Sequence, residues 1–174
     1  MLFSVVAVPG KWLHKYNSDL FNIHGYHFIS NSREHKLGGG GGLYIQSDMS
    51  FKPRIDLQSS GNSLYESFFV EILHPYGKNI IVGCLYRPPD ASLNYFNRSV
   101  EDILTAISFE NKLSYIMGDF NISILNSHSR QPTNEFINLM TSNSLYPLIS
   151  KPTRITSSTA TLIDNIFTTI LNLA

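Results

Sequence analysis

The sequence has little charge, almost no cysteine and no long hydrophobic run. Asp, Glu, Lys and Arg make up only 15% of the 174 residues, and the 13 basic and 13 acidic side chains cancel to a formal charge of zero. A domain that holds DNA by neutralising many phosphates usually has a pI above about 9. Strong non-specific binding of nucleic acid is therefore disfavoured, although a local cleft can differ in sign from the whole surface.

The single cysteine, Cys84, excludes an internal disulfide and a cysteine-rich zinc site. No apolar run approaches the length of about 18 residues that a membrane span needs, so no membrane partner is expected. The apolar stretch from Leu2 to Val8 has no basic residue before it and is followed at once by Pro9 and Gly10. This is typical of a buried strand rather than a signal peptide, and it favours an intracellular protein.

Length and apolar content predict one domain over residues 1–174. Hydrophobic residues make up 43% of the chain, which suffices for a core at a length that buries about 70% of the unfolded surface. Strand patterns dominate the first half, and Glu66 and Glu71 are expected at solvated positions of their strand. The predicted strands are Tyr26 to Ile29, Leu43 to Gln46, Tyr65 to Ile72 and Ile80 to Tyr86.

The second half mixes helices with strands. Apolar residues recur three and four positions apart from Leu93 to Ile107, which predicts an amphipathic helix. A short strand from Leu113 to Met117, a helix starting at Pro132 and a last strand from Leu162 to Phe167 are predicted after it. Strands interleaved with helices in this way indicate an α+β sandwich.

The tetrapeptide from Gly118 to Asn121 follows a predicted strand, where a rigid scaffold commonly holds functional groups. In an extended backbone, Asp119 and Asn121 project to the same side. Asp119 could accept a proton from water or hold a divalent cation, and the amide of Asn121 could donate to a phosphate oxygen. The same residues also suit an ordinary turn, so both interpretations remain open from the tetrapeptide alone.

Several segments resemble, in order and spacing, the endonuclease/exonuclease/phosphatase superfamily, and most closely the apurinic-type endonuclease domain of non-LTR retrotransposons. The segments are Ile81 to Pro89, Tyr115 to Asn121, Lys151 to Thr156 with Thr161 to Phe167, the pair Trp12 and Leu13, and Phe21 to Tyr26. The resemblance implies a four-layer α/β sandwich. It also implies attack of water on a DNA phosphodiester, dependent on Mg²⁺ or Mn²⁺, and nicking of nuclear DNA to prime reverse transcription.

The resemblance further implies a role for each of four residues. Asp119 corresponds to the aspartate that activates the water and helps to hold the metal ion, and Asn121 to its partner on the phosphate side. Tyr86 resembles the tyrosine that contacts the scissile phosphate, and Asp164 the aspartate that orients a catalytic histidine. A single site requires these side chains to converge at one end of the sandwich. A simple strand-end or turn role remains open for each of them.

The sequence also departs from the family pattern. Family members carry an acidic metal ligand just before the Trp-Leu pair, whereas Gly10 occupies that position here, and all six histidines precede Asp164, although the family has an Asp-His pair after that strand. The fold is expected to be incomplete at both ends. We therefore expect weak metal binding and little or no Mg²⁺-dependent nicking.

Two further classes of function stay open beside an impaired endonuclease. The first is a catalytically dead remnant or a domesticated binding domain. The second, within the same superfamily, is a phosphoinositide or sphingolipid phosphodiesterase.

Overall fold

The computed structural model describes residues 3–9, 22–30, 41–59, 65–125 and 131–170. These residues form two helices, α1 (Leu93–Phe109) and α2 (Gln131–Ser142), and include a 3₁₀ turn at Ile55–Leu57. The strands are β1 (Val5–Val8), β2 (Tyr26–Ser30), β3 (Gly42–Gln46), β4 (Phe51–Pro53), β5 (Glu66–Ile72), β6 (Ile80–Tyr86), β7 (Ser114–Asp119), β8 (Tyr146–Pro147), β9 (Arg154–Ile155), β10 (Ala160–Thr161) and β11 (Asp164–Thr168).

A mixed sheet of six strands, called the large sheet, has the order β4-β5-β6-β7-β11-β8. β5 and β6 form an antiparallel hairpin, β6 and β7 are parallel, and β7 and β11 are antiparallel. A parallel pair needs a crossover connection, and α1 supplies it between β6 and β7. A three-stranded antiparallel sheet, called the small sheet, has the order β1-β3-β2, and β9 pairs with β10 as a separate hairpin.

Apolar layers cover both faces of the large sheet. Because side chains alternate along a strand, Leu85 of β6 packs towards Phe96 of α1 and Phe136 of α2. Cys84, its neighbour in sequence, instead packs towards Leu43 and other residues of the small sheet. The described layers therefore run in the order helices, large sheet, small sheet, which confirms the predicted α+β sandwich. No described residues form a helical layer outside the small sheet.

The predicted elements are present with small shifts at their ends. The helix predicted from Pro132 begins at Gln131, and the last predicted strand is β11, which begins at Asp164. β1 was expected to be buried, yet its residues are half-buried or exposed, because it pairs with β3 along one edge of the small sheet. Gly10 and the pair at residues 12–13 lie outside the described residues.

The prediction that Glu71 is solvated is wrong. Only 3% of its side chain is exposed, and its carboxylate lies among Lys52, Arg54 and Lys112. These cations come from β4, from the residue after it and from the segment after α1. The alternation of β5 could not reveal them.

None of the helices in the described part of the chain is long and apolar enough to cross a membrane.

Candidate functional site

Tyr86, Asp119 and Asp164 lie side by side at one end of the large sheet, and we call them the strand-end row. Tyr86 is the register partner of Asp119 in the parallel pair of β6 and β7, and Asp164 is the partner of Asp119 in the antiparallel pair of β7 and β11. Opposed residues on neighbouring strands project from the same face of a sheet, with their strands about 4.8 Å apart. The structure thus brings together three residues from three distant segments.

The strand-end row stands at the rim of the core between the two sheets. Cys84 and Met117, two positions before Tyr86 and Asp119, pack in that core, so the row lies on the face that the small sheet covers. Its three side chains are half-buried. The row is therefore partly shielded from water and still open at the end of the sheet.

Phe120 determines where the chain leaves β7. Its side chain is buried in the helix-facing core, with ring centroids 5.4 Å from Phe136 and 5.3 Å from Phe167. Its backbone N–H donates to the carbonyl of Ile163 at 2.9 Å, which extends the pairing of β7 with the segment before β11. Because Phe120 faces the helices, Asp119 faces the other side of the sheet.

Asn121 orients the carboxylate of Asp119 through its backbone. Its φ is +48°, in the left-handed region that Asn tolerates better than most residues. The turn places the Asn121 N–H 3.0 Å from Asp119 Oδ1, to which it donates, while Asn121 Nδ2 donates to the carbonyl of Arg87 at 2.8 Å. The extended backbone that would project both side chains to one side does not form, because the chain turns at Asn121.

The charge of Asp119 is only partly balanced. Burial raises the pKa of the Asp119 carboxyl, and the neighbouring Asp164 raises it further, whereas the Asn121 N–H, Arg154 and Arg87 lower it. The net result is a pKa above the ordinary value. No salt bridge between described residues includes Asp119 or Asp164, so these two opposed carboxylates have no paired cation within the described part of the chain. Such an arrangement is frequent at functional sites.

Sequence reasoning missed three residues around the strand-end row. Glu66 is half-buried and is the register partner of Tyr86, so it extends the row by one strand. Arg154 is exposed on β9, close enough to influence Asp119. Arg87 is buried directly after Tyr86. Arg87 and Arg154 lie in two of the segments that carry the family resemblance, Ile81 to Pro89 and Lys151 to Thr156. No local pattern distinguishes Glu66.

The carboxylate oxygens of the strand-end row are suitable ligands for a magnesium ion that a substrate also helps to bind. Mg²⁺ is commonly bound by one or two carboxylates together with water and phosphate oxygens, and Asp119 and Asp164 are two opposed carboxylates. Within the described ranges, no three His, Cys, Asp or Glu side chains lie close enough together to hold a metal ion by themselves. The absence of an acidic ligand at Gly10 stays a prediction.

No protein-family model matches the sequence, and no curated protein matches it significantly. Solved structures do match its fold. The endonuclease domain of TRAS1, a telomere-specific non-LTR retrotransposon, is 12% identical with a TM-score of 0.68, and the match covers 94% of this chain and 71% of that one.

Two further structures give comparable values. An AP endonuclease from Archaeoglobus fulgidus is 12% identical with a TM-score of 0.63, over 95% of this chain and 76% of that one. TDP2 of D. rerio, complexed with a single-strand DNA product, is 11% identical with a TM-score of 0.63, over 95% of this chain and 70% of that one. A likeness at such low identity is one of fold, and the chain has the fold of the endonuclease/exonuclease/phosphatase proteins.

Proposed function

We propose that the strand-end row binds a DNA phosphodiester and that the domain is a metal-dependent phosphodiester hydrolase of low activity. The register of Tyr86, Asp119 and Asp164 on adjacent strands carries this proposal. The shared fold supports the same class of reaction, since the matching structures include a retrotransposon endonuclease domain, an AP endonuclease and a protein holding a DNA product.

Each residue of the row has a chemical role in this proposal. The half-buried carboxylate of Asp119 accepts the proton of the attacking water. The hydroxyl of Tyr86 donates to a phosphate oxygen. Mg²⁺ or Mn²⁺, held by Asp119, Asp164 and the phosphate, would neutralise negative charge that develops on the phosphoryl oxygens.

The hairpin of β9 and β10 supplies polar contacts beside the row. Arg154 is exposed on it, and Arg binds phosphate through two parallel hydrogen bonds. Thr153, just before β9, accepts hydrogen bonds on its Oγ1 from the backbone N–H groups of Ile163 and Asp164, both at 3.2 Å. These bonds tie the hairpin to the first residues of β11. A phosphate at the strand-end row would therefore lie near a positioned arginine.

Low activity follows from the predicted departure at Gly10, where family members carry an acidic metal ligand. A missing metal ligand weakens the charge stabilisation on which phosphoryl transfer depends. Binding of DNA is therefore easier to detect than its cleavage.

The test measures DNA binding and nicking together. Fluorescence anisotropy with a labelled DNA duplex compares the parent, Asp119→Asn and the control Asp102→Asn, an exposed position on α1, with and without Mg²⁺. We expect Mg²⁺ to tighten binding by about tenfold, or about 1.4 kcal/mol, in the parent and the control only. Nicking of supercoiled plasmid in Mg²⁺ or Mn²⁺ should be faint in the parent and absent in Asp119→Asn.

Two outcomes would change the conclusion. Equal dependence on Mg²⁺ in the parent and Asp119→Asn would contradict the assignment of Asp119. Asp119-dependent binding without any nicking, even at long incubation, would favour the alternative of a DNA-binding remnant.

A further inference from the structure

Arg87 holds two loops at the strand-end row through its side chain. The residue is buried, with 5% of its surface exposed. Nε donates to the carbonyl of Phe120 at 2.8 Å, Nη2 to the carbonyl of Asn121 at 2.7 Å, and Nη1 to the carbonyl of Ala91. Guanidinium donors have a fixed planar geometry, so these three carbonyls are held in one arrangement.

The backbone of Arg87 completes the same connection. Its N–H donates to the carbonyl of Asp119 at 3.1 Å, and its carbonyl accepts the hydrogen bond from Asn121 Nδ2 at 2.8 Å. The end of β6 and the end of β7 are thus joined by a closed ring of hydrogen bonds. The left-handed turn at Asn121, which aims its N–H at Asp119 Oδ1, lies inside that ring.

Ion pairing does not explain why a cation is buried here. No salt bridge between described residues includes Arg87. Burial lowers the pKa of its guanidinium and outweighs the opposite effect of the Asp119 and Asp90 charges. A buried cation without a paired carboxylate costs free energy, and an apolar side chain of similar length would avoid that cost. What the guanidinium provides in return is the set of three carbonyl contacts, two of them in the turn that follows Asp119.

We propose that Arg87 is a positioning residue: its guanidinium holds the turn after β7 and thereby aims the Asp119 carboxylate and the Asn121 amide, without contacting the substrate. Its consequence for DNA rests on the proposed function above, whereas its effect on the turn does not. Geometry rather than charge is the active property, because one ammonium nitrogen cannot reach three separate carbonyls as the guanidinium does.

The test uses Arg87→Lys, which keeps the charge, and Arg87→Met, which keeps an unbranched side chain without donors. Arg98→Lys, at an exposed position of α1, is the matched control. Amide hydrogen exchange is followed by NMR at Asn121 and at Ile116 in the centre of β7, together with Mg²⁺-dependent DNA binding. We expect both Arg87 variants to speed Asn121 exchange by about tenfold or more through local opening, with Ile116 unchanged and Mg²⁺-dependent DNA binding lost. Arg98→Lys should match the parent throughout.

The outcomes separate this proposal from the proposed function. Unchanged Asn121 exchange in both Arg87 variants overturns the positioning role, whatever happens to DNA. Faster exchange at Ile116 as well in Arg87→Lys, or unfolding of both variants, also overturns it, because Arg87 would then serve the whole fold. Faster exchange at Asn121 alone in the Arg87 variants supports the positioning role. If the parent then shows no metal-dependent DNA binding, the positioning role stands and the proposed function is rejected.

Discussion

A carboxylate lies at each end of the large sheet, and the two carboxylates have opposite kinds of neighbour. At one end, Glu71 accepts hydrogen bonds from Lys112 Nζ at 2.8 Å and from Asn79 Nδ2 at 2.7 Å, and Lys52 Nζ lies 3.3 Å from it. At the other end, Asp119 faces Asp164, and its carboxylate accepts one hydrogen bond from the described residues, from the backbone N–H of Asn121. Both carboxylates belong to the same sheet, so the difference comes from their partners.

The pKa values show the result of that difference. Burial raises the pKa of Glu71, but hydrogen bonds from Lys112, Asn79 and Lys52 outweigh burial and lower it to about 2. For Asp119, burial and the like charge of Asp164 prevail, and the pKa is raised. A carboxylate whose charge is already balanced stabilises the fold. One whose charge is poorly balanced retains the capacity to bind a cation or accept a proton.

The Glu71 end is a network with a structural role. Arg54, after β4, bonds Asp56 at 2.6 Å and Glu71 at 3.5 Å, and it also pairs with Glu110. Lys112 bridges Glu71 and Glu110. The network thereby joins the edge of the large sheet to the C-terminal end of α1, opposite the strand-end row.

The largest expected effect is at Glu71. Glu71→Gln removes the buried carboxylate that Lys52, Arg54 and Lys112 share, and leaves these cations only Asp56 and Glu110 as partners. The free energy of unfolding should therefore fall by about 3–5 kcal/mol, as for other broken buried pairs. Urea denaturation measures the change, with Glu101→Gln on the exposed side of α1 as the control. A loss below about 1 kcal/mol would place the network among ordinary surface ion pairs.

The loss of stability in acid should depend on the same carboxylate. Because the pKa of Glu71 falls from 4.5 to about 2 in the folded protein, its stabilisation is present above pH 4.5 and is lost as the pH falls towards 2. A shift of this size corresponds to roughly 3 kcal/mol. The free energy of unfolding, measured by urea denaturation between pH 6 and pH 2, should therefore fall more steeply with decreasing pH for the parent than for Glu71→Gln. Parallel pH profiles would contradict the lowered pKa.

Gly118→Ala tests how closely β6 and β7 approach beneath the strand-end row. A Cβ at Gly118 would lie 1.8 Å from the carbonyl oxygen of Leu85, so the backbone must shift, at a cost of about 1–3 kcal/mol. At Gly77, in the exposed turn between β5 and β6, the nearest atom to a Cβ would be Nδ1 of the His74 side chain, at 3.0 Å, so Gly77→Ala should change stability less. Thermal unfolding compares the two variants, and equal losses would count against the close approach.

The smallest expected effect on stability is at Asp119, and its sign is opposite to that at Glu71. A raised pKa means that the ionised carboxyl is disfavoured in the folded protein, so Asp119→Asn should raise the melting temperature slightly at pH 7. The same variant should lose Mg²⁺-dependent DNA binding. A lower melting temperature for Asp119→Asn would indicate that Asp119 supports the fold, as Glu71 does.

Local sequence patterns were sufficient to predict most of the helices and strands. The alternation in β5, the apolar run of β6 and the three- and four-residue spacing of α1 are properties of consecutive residues, and the structure has all three elements. Their ends were less predictable, because pairing with neighbours decides them. β11 begins at Asp164 rather than Leu162, where it meets the last residue of β7.

The candidate site was predictable as a set of residues but not as an arrangement. Family resemblance singled out Tyr86, Asp119, Asn121 and Asp164, and their catalytic roles stay predictions. Three of these residues lie side by side because of the way in which β6, β7 and β11 pair. A shift of one residue in that pairing would move side chains to the other face of the sheet. The turn at Asn121 depends on Arg87, whose side-chain contacts in that turn lie 33 and 34 residues away.

By itself, the sequence determined the strand and helix segments, the apolar faces and the residue types available for chemistry, because these follow from neighbours along the chain. Only the tertiary structure decided which charges are balanced. Glu71 meets Lys112 across 41 residues, whereas Asp119 meets another carboxylate, Asp164, across the pair of β7 and β11. Electrostatic energy depends on distance in space and on burial, and neither can be read from positions along the chain.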